Sequence, residues 1–190
     1  MDNIELFIGA PSFGKTTLLC KYYKKLAKIK KCSIIYSPCK EELCISDVIY
    51  SMYPAYIEIP TYITAAYLNE LNTEVLLIDE VQNRSIEELD LLIRYADRKN
   101  IQVLFFGTAF DVSGKIIPSI QHLIEVGIPF TQIKRKCCKC GCKAFNTLHI
   151  NKEGNVLLSP INHDEYKILI LCRQCYNKYM KEFKPTTFII

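Results

Sequence analysis

The stretch Gly9-Ala10-Pro11-Ser12-Phe13-Gly14-Lys15-Thr16 decides the fold of this chain. Its spacing matches G-x-x-x-x-G-K-[ST], the pattern of a loop that wraps around phosphate groups. In such a loop the glycines allow close backbone approach, the N–H groups point at the anion, and the next helix adds its positive end. We expect Lys15 to reach the β- and γ-phosphates of a nucleoside triphosphate, Thr16 to ligate Mg²⁺, and Thr17 to contribute to nucleotide binding. The alternative is a glycine turn that carries Lys-Thr by chance.

Short apolar runs alternate with helical patterns on both sides of this loop. The apolar runs have strand length and fall at residues 4–8, 33–36, 75–78 and 103–106. Helices are predicted over residues 16–30, 41–52, 61–71, 85–99 and 119–126, where apolar residues recur at helical spacing or caps are present. This alternation predicts an α/β fold of the P-loop NTPase type, with a parallel sheet flanked by helices.

Two adjacent carboxylates, Asp79 and Glu80, follow the apolar run at residues 75–78. Ligands of parallel α/β sheets bind at the carboxyl ends of the strands, so this pair is expected to face the phosphate loop. Asp79 is typical of the carboxylate that holds Mg²⁺, although an ordinary acidic helix cap is the alternative. Glu80 can act as a base toward a hydroxyl group or polarise water in an ATPase. Gln82 is placed with the nucleotide site, where it can orient either nucleophile.

Six of the ten cysteines cluster late in the chain. Two pairs stand out, Cys137-x2-Cys140 and Cys172-x2-Cys175, and four thiolates in paired turns suit a tetrahedral, structural Zn²⁺ site. Cys138 and Cys142 are either bystanders or replacements for a neighbouring ligand. Reduced thiols without metal and an iron–sulfur cluster are the alternatives for the whole group.

The sequence divides into three predicted parts: a P-loop nucleotide-binding α/β domain over residues 1–135, a small zinc-binding subdomain over 136–176, and a C-terminal tail over 177–190. Charge divides similarly, because residues 131–190 hold 11 Lys and Arg against 4 Asp and Glu, a net charge of +7. The scattered lysines favour a solvated surface, so nucleic acid is not expected as a partner. No apolar run reaches membrane-spanning length, and the first residues lack a signal-peptide pattern, so a cytoplasmic protein without membrane partners is expected.

The motifs in this order and spacing resemble the thymidine kinase family of vertebrate cytosol, many bacteria and large DNA viruses. The resemblance extends over most of the chain. Besides the phosphate loop, it rests on Ile78-Asp79-Glu80-Val81-Gln82, Phe106-Gly107 with Phe110 after it, Cys137-x2-Cys140-Gly141 and Cys172-Arg173-Gln174-Cys175-Tyr176.

The resemblance implies ATP- and Mg²⁺-dependent transfer of the γ-phosphoryl group to the 5′-hydroxyl of thymidine. It implies that Glu80 is the base, acting with Lys15, and that Phe110 lines the nucleoside site. It further implies that residues between the cysteine pairs form a zinc-tethered lasso loop over the base, with Tyr166 packed against the nucleoside. The family is usually tetrameric, which implies a homo-oligomer.

The chain departs from the family's pattern at four places. Tyr166 lies six positions before Cys172, where four is usual. Asn83 stands where Phe is common, and Ser159-Pro160-Ile161-Asn162-His163 stands where the lasso carries a Gly-Gly pair. An Asp-x-Arg pair after the second strand is replaced by Ser37-Pro38-Cys39-Lys40-Glu41. These departures motivate two alternatives: a nucleotide-binding regulatory or interaction protein without kinase activity, and a P-loop ATPase whose zinc module contacts nucleic acid.

Overall fold

The computed structural model describes residues 3–38, 52–55, 57–111, 115–157 and 166–182. Within these ranges the chain forms a six-stranded sheet, with all its strand pairs parallel, and a smaller lobe of short antiparallel strands. The predicted α/β fold of the P-loop NTPase type is therefore confirmed. Among the helices that the structure describes, none is long and apolar enough to cross a membrane.

The large sheet and its helices account for the first two thirds of the chain. In chain order they are β1 (Ile4–Ile8), α1 (Lys15–Leu26), β2 (Cys32–Tyr36), β3 (Ile57–Glu58), α2 (Ala65–Glu70), β4 (Val75–Asp79), a 3₁₀ turn (Val81–Asn83), α3 (Ile86–Lys99), β5 (Gln102–Gly107), α4 (Pro118–Glu125) and β6 (Phe130–Gln132). The strand order across the sheet is β3-β2-β4-β5-β1-β6. This order brings the carboxyl ends of β1, β4 and β5 side by side.

Apolar residues fill both faces of the sheet. Because side chains alternate along a strand, Leu76 and Ile78 pack in the core beneath α3 and α4, while Leu77 packs in the core beneath α1. All five residues of β4 are buried. Burial on both faces explains why the strands read as continuous apolar runs in the sequence.

Local capping signals define helix α3 well. The Ser85 hydroxyl accepts a hydrogen bond from the Glu88 N–H at 3.3 Å, and the Ser85 N–H donates to Glu88 Oε2 at 3.0 Å. This reciprocal pair is a capping box, as the sequence predicted. The helix ends at Lys99, also as predicted, with Asn100 in the left-handed conformation.

Two other helices are shorter than predicted, and one prediction is not tested. Helix α2 begins at Ala65 instead of residue 61, because Thr64 has an extended backbone and caps the helix, its hydroxyl accepting from the Tyr67 N–H at 3.2 Å. Helix α1 ends at Leu26 instead of residue 30, since the Leu26 carbonyl accepts from both Ile29 and Lys30 in a closing turn. The predicted helix over 41–52 lies almost wholly outside the described residues.

The lobe follows β6. It comprises β7 (Arg135–Lys136), β8 (Lys143–Ala144), β9 (Asn146–Asn151), β10 (Val156–Leu157), β11 (Tyr166–Leu171) and α5 (Arg173–Glu182). Strands β7 and β8 form a hairpin, and the other three form a sheet in the order β10-β9-β11. Helix α5 continues past residue 176, so the first part of the segment predicted as a tail is helical. The division into domains stays a prediction.

Candidate functional site

The phosphate loop joins β1 to α1 at the carboxyl edge of the large sheet. Ser12 and Gly14 have positive φ angles of 62° and 86°, which turn the backbone around the loop. The Gly9 N–H donates to the Gly107 carbonyl at 3.1 Å, which ties the start of the loop to the end of β5. Lys15 is only 6% exposed, and its Nζ lies 3.5 Å from the Ala10 carbonyl oxygen. The ammonium group therefore lies against the loop that is predicted to hold phosphate.

Asp79 lies directly beside this loop and is fully buried. Its Oδ2 accepts hydrogen bonds from the Thr16 hydroxyl at 2.7 Å and the Tyr53 hydroxyl at 2.8 Å. Its Oδ1 accepts from the Glu80 N–H at 3.0 Å. Hydroxyl and carboxylate oxygens are the ligands that Mg²⁺ prefers, and a P-loop Thr with a strand-end Asp holds that ion in P-loop proteins. Thr16 and Asp79 thus fit a Mg²⁺ site.

Tyr53 is a member of this cluster that the sequence analysis missed. Burial raises the pKa of its hydroxyl, and the negative charge of Asp79 raises it further, so the group stays a donor. No spacing or motif marks Tyr53, because the fold alone brings it to Asp79 from 26 residues away.

Glu80 occupies a strained position. Its φ angle is 53°, in the left-handed region that non-glycine residues seldom adopt. Gln82 holds the side chain, since its Nε2 donates a short hydrogen bond to Glu80 Oε2. The other end of the Gln82 amide accepts from the Thr108 N–H at 3.0 Å. Gln82 therefore connects Glu80 to the segment after β5, and its role toward a nucleophile stays a prediction.

Gly107 makes that connection possible. A Cβ at this position would lie 2.7 Å from Val81 Cγ1 and 2.9 Å from Gln82 Oε1. Any larger residue would push the 3₁₀ turn away from β5. The glycine is thus required by the close approach of the turn that carries Gln82.

A cleft of about 800 Å³ opens between the phosphate loop and the lobe. Phe110 lines it from the segment after β5, and its ring is 55% exposed, so it is available for contact. Phe145, His149 and Arg173 line it from the lobe. The Tyr166 side chain and residues 158–165 of the predicted lasso lie outside the described part of the chain.

The lobe brings the two cysteine pairs together. The Sγ atoms of Cys137, Cys140, Cys172 and Cys175 all lie within 4.8 Å of one another. A tetrahedral Zn²⁺ with bonds of about 2.3 Å requires sulfurs roughly 3.8 Å apart, so the cluster fits that ion. Cys138 is exposed and absent from the cluster.

Hydrogen bonds shift the pKa values of two of these thiols in opposite directions. Burial opposes ionisation of Cys137, but backbone hydrogen bonds from Cys172, Lys139 and Cys140 outweigh it and lower the pKa of Cys137 to about 6. Hydrogen bonding with the Cys140 side chain raises the pKa of Cys175 to about 12. One thiolate is thus favoured at neutral pH, and a metal would displace the remaining protons.

A comparison with known protein families identifies the family of this chain. The model of the family described as "Thymidine kinase" matches residues 2–176. The chain belongs to the thymidine kinase family. The resemblance inferred from the motifs is thereby confirmed.

Sequence identity to individual relatives is low. A thymidine kinase of Mesorhizobium japonicum is 28% identical over 129 residues, which are 66% of this chain and 62% of the relative. The thymidine kinase of Enterobacteria phage T4 is 29% identical over 111 residues, 55% of each chain. The chain therefore spans about three fifths of the first relative's length and about half of the second's. A solved replication initiator DnaA bound to AMPPCP and single-stranded DNA matches 70% of this chain and 41% of its own, at 14% identity and a TM-score of 0.45.

Two of the departures from the thymidine kinase pattern contact each other in the structure. Asn83 Nδ2 donates to the Ser37 carbonyl at 2.8 Å. The next residue, Arg84, is 6% exposed and donates from Nε to Ser37 Oγ at 2.7 Å. Arg84 also pairs with Glu88 at 3.1 Å. These residues join the turn after Glu80 to the end of β2, a link that the sequence analysis did not predict.

Proposed function

We propose that this protein transfers the γ-phosphoryl group of ATP to the 5′-hydroxyl of a deoxynucleoside, thymidine or a close relative. The observation that carries the proposal is the placement of Lys15, Asp79 and Glu80 around one phosphate loop. Membership of the thymidine kinase family supports it. The cleft beside the loop offers room for an acceptor.

The donor half of the reaction is assigned to the phosphate loop. The loop Gly9–Thr16 holds the triphosphate through backbone N–H groups, together with Lys15 and Thr17. Pro11 has no N–H, and the N–H groups of Gly9 and Phe13 donate within the protein, so the donors belong to the other residues of the loop. The Thr16 hydroxyl and the Asp79 carboxylate hold Mg²⁺, which neutralises charge on the phosphates when it is bound. Tyr53 fixes the orientation of Asp79 by its hydrogen bond.

The acceptor half is assigned to Glu80. Its carboxylate takes the proton of the 5′-hydroxyl as the oxygen forms a bond to the γ-phosphorus. The bond between that phosphorus and the bridging oxygen breaks, and ADP carries the electron pair away. Gln82 holds the carboxylate in place during this step, because its amide is anchored to the Thr108 N–H.

The cleft is assigned to the nucleoside. Phe110 would contact the base or sugar from one side, and Tyr166 would pack from the lasso on the other. Zn²⁺ on the four clustered cysteines would be structural, because four thiolates leave no position for a substrate. A tetrameric assembly and a cytoplasmic location stay predictions, and light scattering of the purified protein tests the first.

A panel of nucleosides incubated with ATP labelled in the γ-phosphate tests the proposal. We expect label in a nucleoside monophosphate, with thymidine or a close relative preferred. The matched control is the same nucleoside without its 5′-hydroxyl, which should compete but accept no label. ATP binding without any labelled nucleoside would contradict the proposal and favour a regulatory protein. Label released only as phosphate, with steeply salt-dependent DNA binding, would favour an ATPase that contacts nucleic acid.

A further inference from the structure

Phe13 is buried although it belongs to the phosphate loop. It is 3% exposed, whereas its neighbours Pro11 and Ser12 are exposed. Among the described residues, Phe13 is a member of neither core of the large sheet. It belongs instead to the apolar core of the lobe, together with Leu148, Leu169 and others.

The position of Phe13 and the shape of the loop are linked. The Phe13 N–H donates to the Ala10 carbonyl at 3.1 Å, across the turn that the left-handed Ser12 creates. A Cβ added to Gly9 would lie 3.2 Å from the Phe13 Cβ, so the two ends of the loop approach closely here. A shift of Phe13 would therefore change the loop that presents Lys15.

The lobe core depends on the cysteine cluster. Cys137 and Cys172 are themselves buried members of that core, at 3% and 7% exposure. A lobe with so few buried apolar residues is the kind of unit whose folding a structural metal supports. Loss of the metal would thus loosen the packing around Phe13.

We propose that Phe13 couples the metal-held lobe to the phosphate loop, so that an intact cysteine site raises the affinity for nucleotide. Phe13 is a positioning residue in this arrangement, since it acts through the loop backbone. The inference rests on the proposed function in one respect, because it requires that the loop binds nucleotide. The four clustered cysteines need no contact with the phosphates.

Calorimetric titration with a non-hydrolysable ATP analogue and Mg²⁺ tests the coupling. The titration compares wild type and Phe13→Ala, each loaded with zinc and each treated with a zinc chelator. In wild type, chelation should weaken nucleotide binding about tenfold, within the range expected for coupled packing. Phe13→Ala should weaken binding by a similar factor, and chelation of that variant should add less than about twofold.

Two control variants separate coupling from general loss of stability. Phe13→Leu keeps most of the apolar volume and should retain most of the affinity and its dependence on zinc. Leu68→Ala opens a cavity in the core beneath α3 and α4, to which Phe13 does not belong, and should leave the affinity unchanged in the zinc-loaded protein. If circular dichroism shows that chelation unfolds the whole chain, the coupling is judged from the zinc-loaded proteins alone. Zinc-loaded Phe13→Ala should then bind nucleotide more weakly than zinc-loaded wild type.

The outcomes separate the two proposals. Wild type that binds nucleotide equally well with and without zinc, or Phe13→Ala with wild-type affinity, would overturn the coupling alone. An equal fold-loss of nucleotide affinity on chelation in wild type and in Phe13→Ala would also overturn it, because the two changes would then act independently. Zinc-loaded wild type that binds no nucleotide would overturn the proposed function, and the coupling with it.

Discussion

Two hydrogen bonds hold Glu80 at the edge of the sheet in a strained backbone conformation. Its own φ angle is left-handed, its N–H donates to Asp79, and its carboxylate accepts from Gln82. Strain of this kind costs about 1–3 kcal/mol and persists only where surrounding contacts impose it. The strain and the hydrogen bonds together support the role of Glu80 as a positioned base.

Replacement of Glu80 by Gln tests that role. The amide keeps the size of the side chain but takes no proton, so transfer should fall roughly a hundredfold or more. Nucleotide binding should stay within about twofold of wild type, because Lys15 and the loop are unchanged. Steady-state transfer and calorimetry measure the two effects. Glu87→Gln on the exposed face of α3 is the matched control, and a fully active Glu80→Gln would refute the assignment.

Sequence motifs predict some residues of this site and not others. Lys15, Thr16 and Asp79 are predictable because the phosphate loop and the strand-end carboxylate are defined by short spacings. Tyr53 and Arg84 are not, since their partners lie 26 and 47 residues away along the chain. The burial of Phe13 in the lobe depends on tertiary packing in the same way.

The 3₁₀ turn Val81–Asn83 is the element that joins the acidic pair to the rest of the sheet. It packs against Gly107 at the end of β5, and its Gln82 carbonyl accepts from the Ser119 hydroxyl of α4 at 3.0 Å. The position of Glu80 therefore depends on contacts from two neighbouring elements.

Gly107→Ala should disturb this turn. The added Cβ would overlap Val81 and Gln82, which should cost about 1–3 kcal/mol of unfolding free energy and most of the transfer activity. Gly127→Ala is a contrasting control, because it has open space but a φ angle of 84°. It should lose about 1 kcal/mol of stability and keep its activity. Urea unfolding and transfer assays of both variants check this, and unaffected transfer by Gly107→Ala would contradict it.

Arg84, which follows the 3₁₀ turn, links this part of the chain to three other segments by hydrogen bonds. Its guanidinium donates to the Ser37 hydroxyl, the Pro60 carbonyl and Glu88, all in a largely buried setting. Arg84→Met should cost about 3 kcal/mol, because Glu88 and the carbonyl groups lose a buried partner. Arg94→Met, at an exposed position of α3, should change stability by less than about 0.5 kcal/mol. Equal urea midpoints for the two variants would argue against a structural role for Arg84.

The elements also differ in how well the sequence predicts them. The start of helix α3 is predictable because Ser85 and Glu88 form its capping box locally. The start of helix α2 is predicted four residues too early, since Thr64 caps this helix by accepting from the Tyr67 N–H. Strand β6 was missed because its three residues are all exposed and, among the described residues, pair with the distant β1.

At the scale of the whole molecule, two cores and a cysteine-held lobe surround the cleft. The sheet fixes the phosphate loop and the acidic pair at one edge. The lobe contributes the opposite wall and the core in which Phe13 packs. The order of motifs predicted a zinc-binding part after the sheet, whereas the helical continuation of the lobe through Glu182 carries no motif and was missed.

Metal analysis of purified protein tests the predicted zinc site of the lobe. We expect about one zinc per chain, bound by the four clustered thiols. Cys172→Ser should lose the metal, because it removes a buried member of the cluster. Cys138→Ser should keep it, since that thiol is exposed and outside the cluster. Metal loss in Cys138→Ser, or full zinc content in Cys172→Ser, would show that the ligand set is different.

A structure with a non-hydrolysable ATP analogue, Mg²⁺ and thymidine tests the central claim most directly. The account predicts the triphosphate in the Gly9–Thr16 loop, Mg²⁺ on the Thr16 and Asp79 side, and the nucleoside in the cleft beside Phe110. It also predicts hydrogen-bond contact between the nucleoside 5′-hydroxyl and the Glu80 carboxylate. A nucleoside bound elsewhere, or a 5′-hydroxyl out of reach of Glu80 with the triphosphate in place, would contradict the account.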